Sequence, residues 1–186
     1  MFGYLGTLQG IIFYTHVIIF QTAEPEFKAQ CSSGMLTAAD RYAPGPGKRC
    51  HVDTLVEVLK WAGNFVRDDV IFNTIQLVSQ TPELQPYVVH EAWKAIRDTD
   101  NCTEKQPLVQ VACWCIGEYG SFLLDGVSIE GETLTVSEEE VIEVYQKILW
   151  AKHMSLVTKQ YALMSVTKLS TRYHDSNRWK AVSSNT

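Results

Sequence analysis

The sequence lacks the short motifs that mark several common classes of protein. It has no Cys-x-x-Cys pair, no glycine-rich phosphate loop and no dinucleotide-binding fingerprint. Its five cysteines are odd in number and do not have the spacing of a zinc site or a disulfide framework. The formal net charge is −5, so the chain lacks the surplus of basic residues with which nucleic-acid-binding proteins displace counterions from phosphates. We therefore expect no nucleic-acid partner, no metal site and no nucleotide cofactor.

Strand-like alternation of apolar and polar residues is also absent over any useful length. From Glu24 onward the apolar spacing instead predicts seven helices, which begin near residues 24, 51, 68, 81, 107, 137 and 155. Pro82 follows Thr81 at the expected start of the fourth helix, and Ser137 with Glu140 forms a capping-box pattern at the sixth. Residues 125–136 are expected to form an exposed loop.

Helices joined by mostly short links predict an all-α fold, which leaves two architectures open. One is a helical bundle, and the other is an α-solenoid of the HEAT or armadillo type. In the seventh helix, an apolar stripe of Ala162, Val166, Leu169 and Tyr173 is expected to face the core. A polar stripe of Ser165, Lys168 and Arg172 is expected on the opposite side.

Two cysteines flank a tryptophan in the stretch PLVQVACWCIGEYG, residues 107–120. On a helix, residues two apart point about 200° from each other, so Cys113 and Cys115 cannot converge on one metal ion or form a disulfide. Most of the circumference of this helix is apolar, which indicates burial on several sides. We therefore predict that both thiols fill a core, and that Gly117 lets a neighbouring helix approach closely.

Other residues that could carry chemistry have simpler structural explanations. Asp68 and Asp69 could form a carboxylate pair, but acids in this position favour a helix start. His51 and Asp53 would point to different faces of one helix. The turn 44–49 lacks the spacing of a phosphate loop, and its basic pair is only a weak signal for an acidic partner or a lipid headgroup. The remaining histidines, at positions 16, 90, 153 and 174, have no metal-site spacing.

The first twenty residues contain no Asp, Glu, Lys or Arg. They are long enough for a membrane span, although glycines and polar residues dilute them. An alternative hypothesis is therefore a membrane-anchored helical protein that uses residues 1–20 as its anchor. The sequon at Asn101 would matter only if the chain entered the secretory lumen. We divide the chain into an atypical apolar segment 1–22, a helical region 23–180 and a flexible tail 181–186.

Several stretches resemble the trunk of the gamma-adaptins, the large subunits of a clathrin adaptor complex of the trans-Golgi network and endosomes. The resemblance covers most of the chain from Glu24 onward. It is carried by EPEFKAQCSSGMLTAADRYAP, KRCHVDT, AGNFVRDDV, QPLVQVACWCIGEYG and VTKQYALMSVTKLSTRY.

The resemblance implies an α-solenoid rather than a bundle, and a scaffold rather than an enzyme. It implies beta-type large, medium and small adaptor subunits as partners, with Arf GTPase and clathrin engaged through the full-length subunit. The implied location is cytoplasmic, peripheral on membranes of the trans-Golgi network, endosomes and clathrin-coated vesicles. No catalytic, cofactor-binding or metal-binding residue is implied in this region.

Overall fold

The computed structural model describes residues 24–42, 49–126, 128–129 and 132–172. The predicted segments 1–22 and 181–186 lie outside the described residues. Within the described part, 3₁₀ turns at Gly63–Phe65, Pro82–Leu84 and Thr99–Glu104 separate some of the α-helices. The α-helices are α1 (Pro25–Tyr42), α2 (Arg49–Ala62), α3 (Asp68–Ser79), α4 (Gln85–Arg97), α5 (Gln106–Tyr119), α6 (Ser121–Leu124), α7 (Glu138–Trp150) and α8 (Leu156–Arg172).

Helices that follow each other in the chain pack as pairs, and alternate helices stack in series. The closest contacts between consecutive helices are α1 with α2, α4 with α5, and α7 with α8, while α1, α3, α5 and α8 contact one another in that order. This stacking buries one continuous apolar core through the described helices. The predicted all-α fold is confirmed, and the serial stacking is that of an α-solenoid rather than a closed bundle.

The capping box predicted at the sixth helix is confirmed at the start of α7. The backbone N–H of Glu140 donates to the hydroxyl of Ser137, at 3.2 Å between N and Oγ. In return, the backbone N–H of Ser137 donates to the carboxylate of Glu140, at 2.8 Å. Two amide groups that the helix leaves without an internal acceptor are therefore satisfied.

Replacing Ser137 with alanine is expected to lower the free energy of unfolding by about 1 kcal/mol, because one helix-end amide loses its acceptor. Urea denaturation followed by circular dichroism measures the change. The matched control is Ser121→Ala, since Ser121 is also exposed at a helix start and its side chain bonds no described residue. An equal loss in both variants would contradict the capping role.

Two predicted helices differ from the structure at their ends. The fourth begins with a 3₁₀ turn, because the hydroxyl of Thr81 donates back to the carbonyl of Leu77 at 2.8 Å instead of capping the next helix. The fifth ends at Tyr119, and the chain turns at Gly120 before the short helix α6. The sequence thus predicted helix starts that carry acids or a capping pair better than it predicted the 3₁₀ turn before α4 and the break between α5 and α6.

The sequence predicted an exposed loop over residues 125–136, but part of this segment forms regular structure. It contains strands β1 (Ser128–Ile129) and β2 (Glu132–Thr133), which pair antiparallel. Each strand is only two residues long, too short to show the alternation by which strands are recognised in a sequence. Gly126 precedes the pair with a φ of 67°, a left-handed conformation that glycine adopts without strain.

Candidate protein-interaction surface

Helix α5 is the central element of the described part of the chain. It contacts α3, α4 and α8, and ten of its fourteen residues are buried. The buried residues include both cysteines and also Gln110, whose side chain would ordinarily face water. The prediction that this helix is surrounded on several sides is therefore confirmed.

The two thiols of α5 are part of the packed core. Cys113 and Cys115 are fully buried and form no disulfide. Burial raises the pKa of the Cys115 thiol to about 12, and it also raises the pKa of the Cys113 thiol strongly. Since the thiolate is the form that attacks electrophiles and binds metals, these side chains are held in their inert form at neutral pH. Their predicted role as core residues is confirmed by this geometry.

Thiol-specific labelling of the folded chain at pH 7 is expected to leave Cys113 and Cys115 unmodified while Cys31 reacts. Cys31 is half-buried in α1 and serves as the internal control. Labelling of all three should become equal in denaturant, because the difference depends on burial. Peptide mass spectrometry measures the occupancy of each site, and rapid labelling of the α5 pair in the folded chain would contradict the core assignment.

The contact between α5 and α8 contains a line of polar side chains. The buried amide of Gln110 donates to the hydroxyl of Thr158, at 2.9 Å. One turn earlier, the side-chain oxygen of Gln106 accepts from the backbone N–H of Ser155, at 2.8 Å. The other end of the Gln106 amide donates to the carbonyl of His153, at 3.3 Å. These bonds fix the first turn of α8 against α5.

The prediction that a polar stripe lies on the outer side of α8, away from the core, is wrong. Ser165 is buried, and Lys168 and Arg172 both contact α5. The apolar residues Ala162, Val166 and Leu169 are also buried, as predicted, and Tyr173 lies outside the described residues. In a stacked array a helix is contacted from more than one side, so its polar face can be buried against another polar face.

Gly117 is the point of closest approach between α5 and α8. A Cβ atom built there would lie 2.7 Å from the Ser165 hydroxyl oxygen and 2.9 Å from the Ser165 Cα. The Ser165 hydroxyl lies 2.6 Å from the hydroxyl of Tyr145, which comes from α7. The predicted close approach at Gly117 is therefore confirmed, and it brings three helices together.

Charged groups close the opposite end of the α5–α8 contact. The Glu118 carboxylate accepts a hydrogen bond from Lys168 and also pairs with Arg172. The Arg172 guanidinium donates to the carbonyls of Gly117 and Glu118, which the end of α5 leaves without helical partners. Burial acts to raise the pKa of Glu118, but its hydrogen bonds and charge contacts with Lys168 and Arg172 hold that pKa below its usual range.

The Glu118 cluster is expected to make stability depend on pH. A carboxyl group whose pKa is lowered by folding stabilises the fold fully when the pH is above its unfolded pKa of about 4.3. This contribution is lost as the pH falls through the folded pKa. Glu118→Gln should cost roughly 1 kcal/mol at pH 7, and the difference from the unmodified chain should shrink toward pH 3. Urea denaturation at each pH tests this, with Glu83→Gln as the matched loss of one exposed carboxylate. The same pH dependence in both variants would contradict the role of the cluster.

The carboxylates considered as candidate catalytic groups make contacts within the helical array instead. Asp68 and Asp69 lie in the first turn of α3, where their charge favours the helix start, and the Asp69 carboxylate accepts a hydrogen bond from the backbone N–H of Val70, at 3.0 Å. Asp53 accepts a hydrogen bond from the hydroxyl of Tyr87, at 2.5 Å. No group of three His, Cys, Asp or Glu side chains among the described residues is arranged to hold a metal ion.

Several large apolar side chains remain exposed and are the surface available to partners. Those toward the amino-terminal side are Phe27, Trp61, Phe65 and Phe72, and those on α7 and α8 are Trp150, Leu156, Val157, Leu163 and Met164. The sequence predicted neither set, because both occupy helix faces that fit the general apolar pattern of the chain. One signal could have distinguished the exposed apolar residues of α8 from its buried ones: the helix has more apolar positions than a single buried face can hold.

Comparison with known proteins identifies the family. The profile described as "Adaptin N terminal region" matches residues 13–183, which include all of the described helices. The chain belongs to the adaptin family. Among its relatives, "AP-1 complex subunit gamma-like 2" is 46% identical in Homo sapiens and 45% identical in Mus musculus, each over 164 residues and 87% of this chain. "AP-1 complex subunit gamma" of Dictyostelium discoideum is 38% identical over 160 residues and 83% of this chain.

These relatives confirm the resemblance to gamma-type adaptins that the sequence motifs indicated. The matched region makes up 20% of the human and mouse relatives and 17% of the Dictyostelium one. This adaptin chain thus spans about a fifth of the length of the curated relatives it matches.

Proposed function

We propose that this adaptin chain is a scaffold segment of a clathrin adaptor large subunit, acting in vesicle-mediated protein transport between the trans-Golgi network and endosomes. The observation that carries the proposal is the serial stacking of helices about α5, in a chain that matches the adaptin profile over residues 13–183. A stacked array of this kind offers a long continuous surface to partner proteins without needing a catalytic pocket. The names of the gamma-type relatives support the assignment to an AP-1-like complex.

The proposed partners are the other subunits of the adaptor complex: a beta-type large, a medium and a small subunit. Arf GTPase and clathrin would be engaged through the full-length subunit. The proposed location is cytoplasmic and peripheral, on membranes of the trans-Golgi network, endosomes and clathrin-coated vesicles. None of the helices in the described ranges is long and apolar enough to cross a bilayer.

A scaffold role is favoured over catalysis by what the polar groups of the array do. The α5 thiols are buried in their neutral form, and the polar residues between α5 and α8 bond to each other. Groups used in this way contribute to packing and register, and they are not presented to a substrate. We therefore propose that the chain is not an enzyme.

Co-expression with a small adaptor subunit tests the scaffold proposal. We expect the tagged chain to co-purify with the small subunit as a stoichiometric complex that survives gel filtration. Gly117→Val should reduce the recovered complex, because it forces α5 and α8 apart, whereas Gly34→Val should not, since a Cβ at Gly34 meets nothing within 4 Å. Absence of any complex with the unaltered chain would overturn the proposal.

The alternative function, a membrane-anchored helical protein, concerns residues 1–20, which lie outside the described residues. Carbonate extraction distinguishes the two hypotheses, because a peripheral scaffold is released from membranes while an anchored protein is retained. Occupancy of Asn101 by a glycan would likewise favour the anchored form, since it requires passage through the secretory lumen.

A further inference from the structure

The region around α7 and α8 has an unusual charge distribution for an acidic chain. Between Glu143 and Asp175 the sequence contains no Asp or Glu, although the chain as a whole has a net charge of −5. The same interval contains the basic residues Lys147, Lys152, Lys159, Lys168 and Arg172. The interval thus carries five basic residues and no acidic one, although the exposed Glu143 lies one helical turn before Lys147 on α7.

Two of these cations are neutralised within the fold, and three are not. Lys168 and Arg172 pair with Glu118. Within the described part of the chain, Lys147, Lys152 and Lys159 form no ion pair with a carboxylate, and the first two are exposed. These three ammonium groups are available to an external anion.

Large apolar side chains project from the same connection between the helices. Leu156 is 78% exposed, Trp150 54% and Val157 52%. Each of these side chains thus exposes more than half of its surface to solvent. We call the set the α7–α8 surface, which comprises Lys147, Trp150, Lys152, Leu156, Val157 and Lys159.

The exposed apolar face continues along α8 beyond its first turn. Leu163 and Met164 are exposed and follow Leu156 and Val157 by seven residues, which places each pair on nearly the same side of the helix. Lys159 lies beside this face at the amino-terminal end. An apolar helix face with lysines at its edge is the arrangement of helices that lie in a membrane interface.

We propose that the α7–α8 surface contacts an anionic lipid surface, with the three lysines near headgroup phosphates and Trp150, Leu156 and Val157 entering the headgroup–acyl boundary. This inference rests on the proposed peripheral role and assigns it to particular residues. An exposed set that combines lysines with an amphipathic tryptophan and aliphatic side chains suits the headgroup boundary of an anionic bilayer, where tryptophan is enriched and lysines meet phosphates. The interval has no carboxylate of its own that would repel anionic lipid, and the exposed Glu143 is the nearest acid before Lys147 along the chain.

Vesicle sedimentation with the full 186-residue chain tests the proposal. The probes are vesicles of phosphatidylcholine alone and of phosphatidylcholine with about 30% phosphatidylserine, which reproduces the charge of an anionic leaflet. We expect binding to the anionic vesicles that weakens as salt is raised, because the attraction is screened. Lys152→Glu should weaken this binding about five-fold or more, since each lysine near an anionic surface contributes about that factor.

The matched control for the charge reversal is Arg97→Glu, which changes the net charge equally at an exposed position on α4. The apolar contribution is tested by Leu156→Gln against Phe72→Gln, because Phe72 is also exposed on a helix, at 60%. Only Lys152→Glu and Leu156→Gln should reduce binding, with melting temperatures close to that of the unaltered chain. Equal losses in the controls would overturn the proposal, as would no binding by the unaltered chain.

Two further outcomes would also overturn the lipid assignment. Binding that is equal on uncharged vesicles and unaffected by Lys152→Glu would point to the apolar segment 1–20 instead. If the α7–α8 variants lose co-purification with the small adaptor subunit and keep vesicle binding, the surface is a protein-docking site. Failure of the scaffold proposal would look different, because in that case the unaltered chain itself would not co-purify with the small adaptor subunit.

Discussion

Replacing Gly117 with valine is expected to lower the free energy of unfolding by about 3 kcal/mol or more, the upper range for inserting bulk into a packed contact. The added Cβ would meet the hydroxyl oxygen of Ser165 at 2.7 Å and its Cα at 2.9 Å. The hydroxyl could rotate, but the Cα belongs to the backbone of α8. The helices must therefore separate, and the whole interface between α5 and α8 is weakened together.

The comparison with Gly34→Val separates steric overlap from helix propensity. Both glycines lie within helices, so valine should improve intrinsic propensity slightly at each. A Cβ at Gly34 meets nothing within 4 Å, and the variant should be neutral or slightly more stable. Urea denaturation of both variants provides the measurement. A Gly117→Val chain as stable as Gly34→Val would show that α8 can move away from α5 without cost.

A second substitution at Ser165 defines which atoms cause the overlap. Removing the Ser165 side chain in a Gly117→Ala background eliminates the close approaches at 2.7 and 3.0 Å, but the backbone of α8 still lies 2.9 Å from the new methyl group. Ser165→Gly alone also leaves the Tyr145 hydroxyl without its partner, so the recovery is measured against that single variant. Measured in this way, it should be only part of the stability lost by Gly117→Ala. Full recovery would mean that the side chain alone sets the helix separation.

The sequence predicted the parts of this fold that depend on local signals. The capping pair of Ser137 and Glu140, the acids at the start of α3 and the apolar circumference of α5 each indicate structure through residues close in the chain. That Cys113 and Cys115 cannot share a metal ion or form a disulfide also followed from their spacing, because helix geometry keeps them apart.

The arrangement of polar groups between helices could not be predicted in the same way. The rule that a polar stripe faces solvent assumes that only one side of a helix is packed. In this array the polar line of α5 meets that of α8, so Gln110 bonds Thr158 and Glu118 bonds Lys168 across about 50 positions of sequence. Nothing in either segment alone specifies its partner.

The exposed surfaces were missed for a related reason. Leu156 and Val157 fit the apolar composition expected of a buried helix, and only the three-dimensional stacking shows that their side of α8 has no neighbour among the described helices. The acid-free interval around them was visible in the sequence. It acquires meaning only when Glu118 is seen to neutralise two of its cations and to leave the three lysines without an acidic partner.

Replacing Tyr145 with phenylalanine is expected to lower the free energy of unfolding by about 2 kcal/mol, because the substitution leaves a buried hydroxyl without its partner. Tyr145 is fully buried, and its hydroxyl lies 2.6 Å from that of Ser165 and donates to the carbonyl of Cys113 at 3.4 Å. It therefore links α7 to both α5 and α8. The control is Tyr161→Phe, a half-buried tyrosine whose hydroxyl bonds no described residue and whose loss should cost less than about 0.5 kcal/mol.

A double-mutant cycle with Ser165→Ala tests whether the two hydroxyls act as a pair. Removing both hydroxyls leaves neither one buried without its partner, so Tyr145→Phe combined with Ser165→Ala should cost clearly less than the sum of the single changes. The coupling should amount to about 1 kcal/mol or more for a buried contact of this length. Simple additivity would mean that each hydroxyl finds another partner in the variant. In that case the link between α7 and α8 would depend on apolar packing alone.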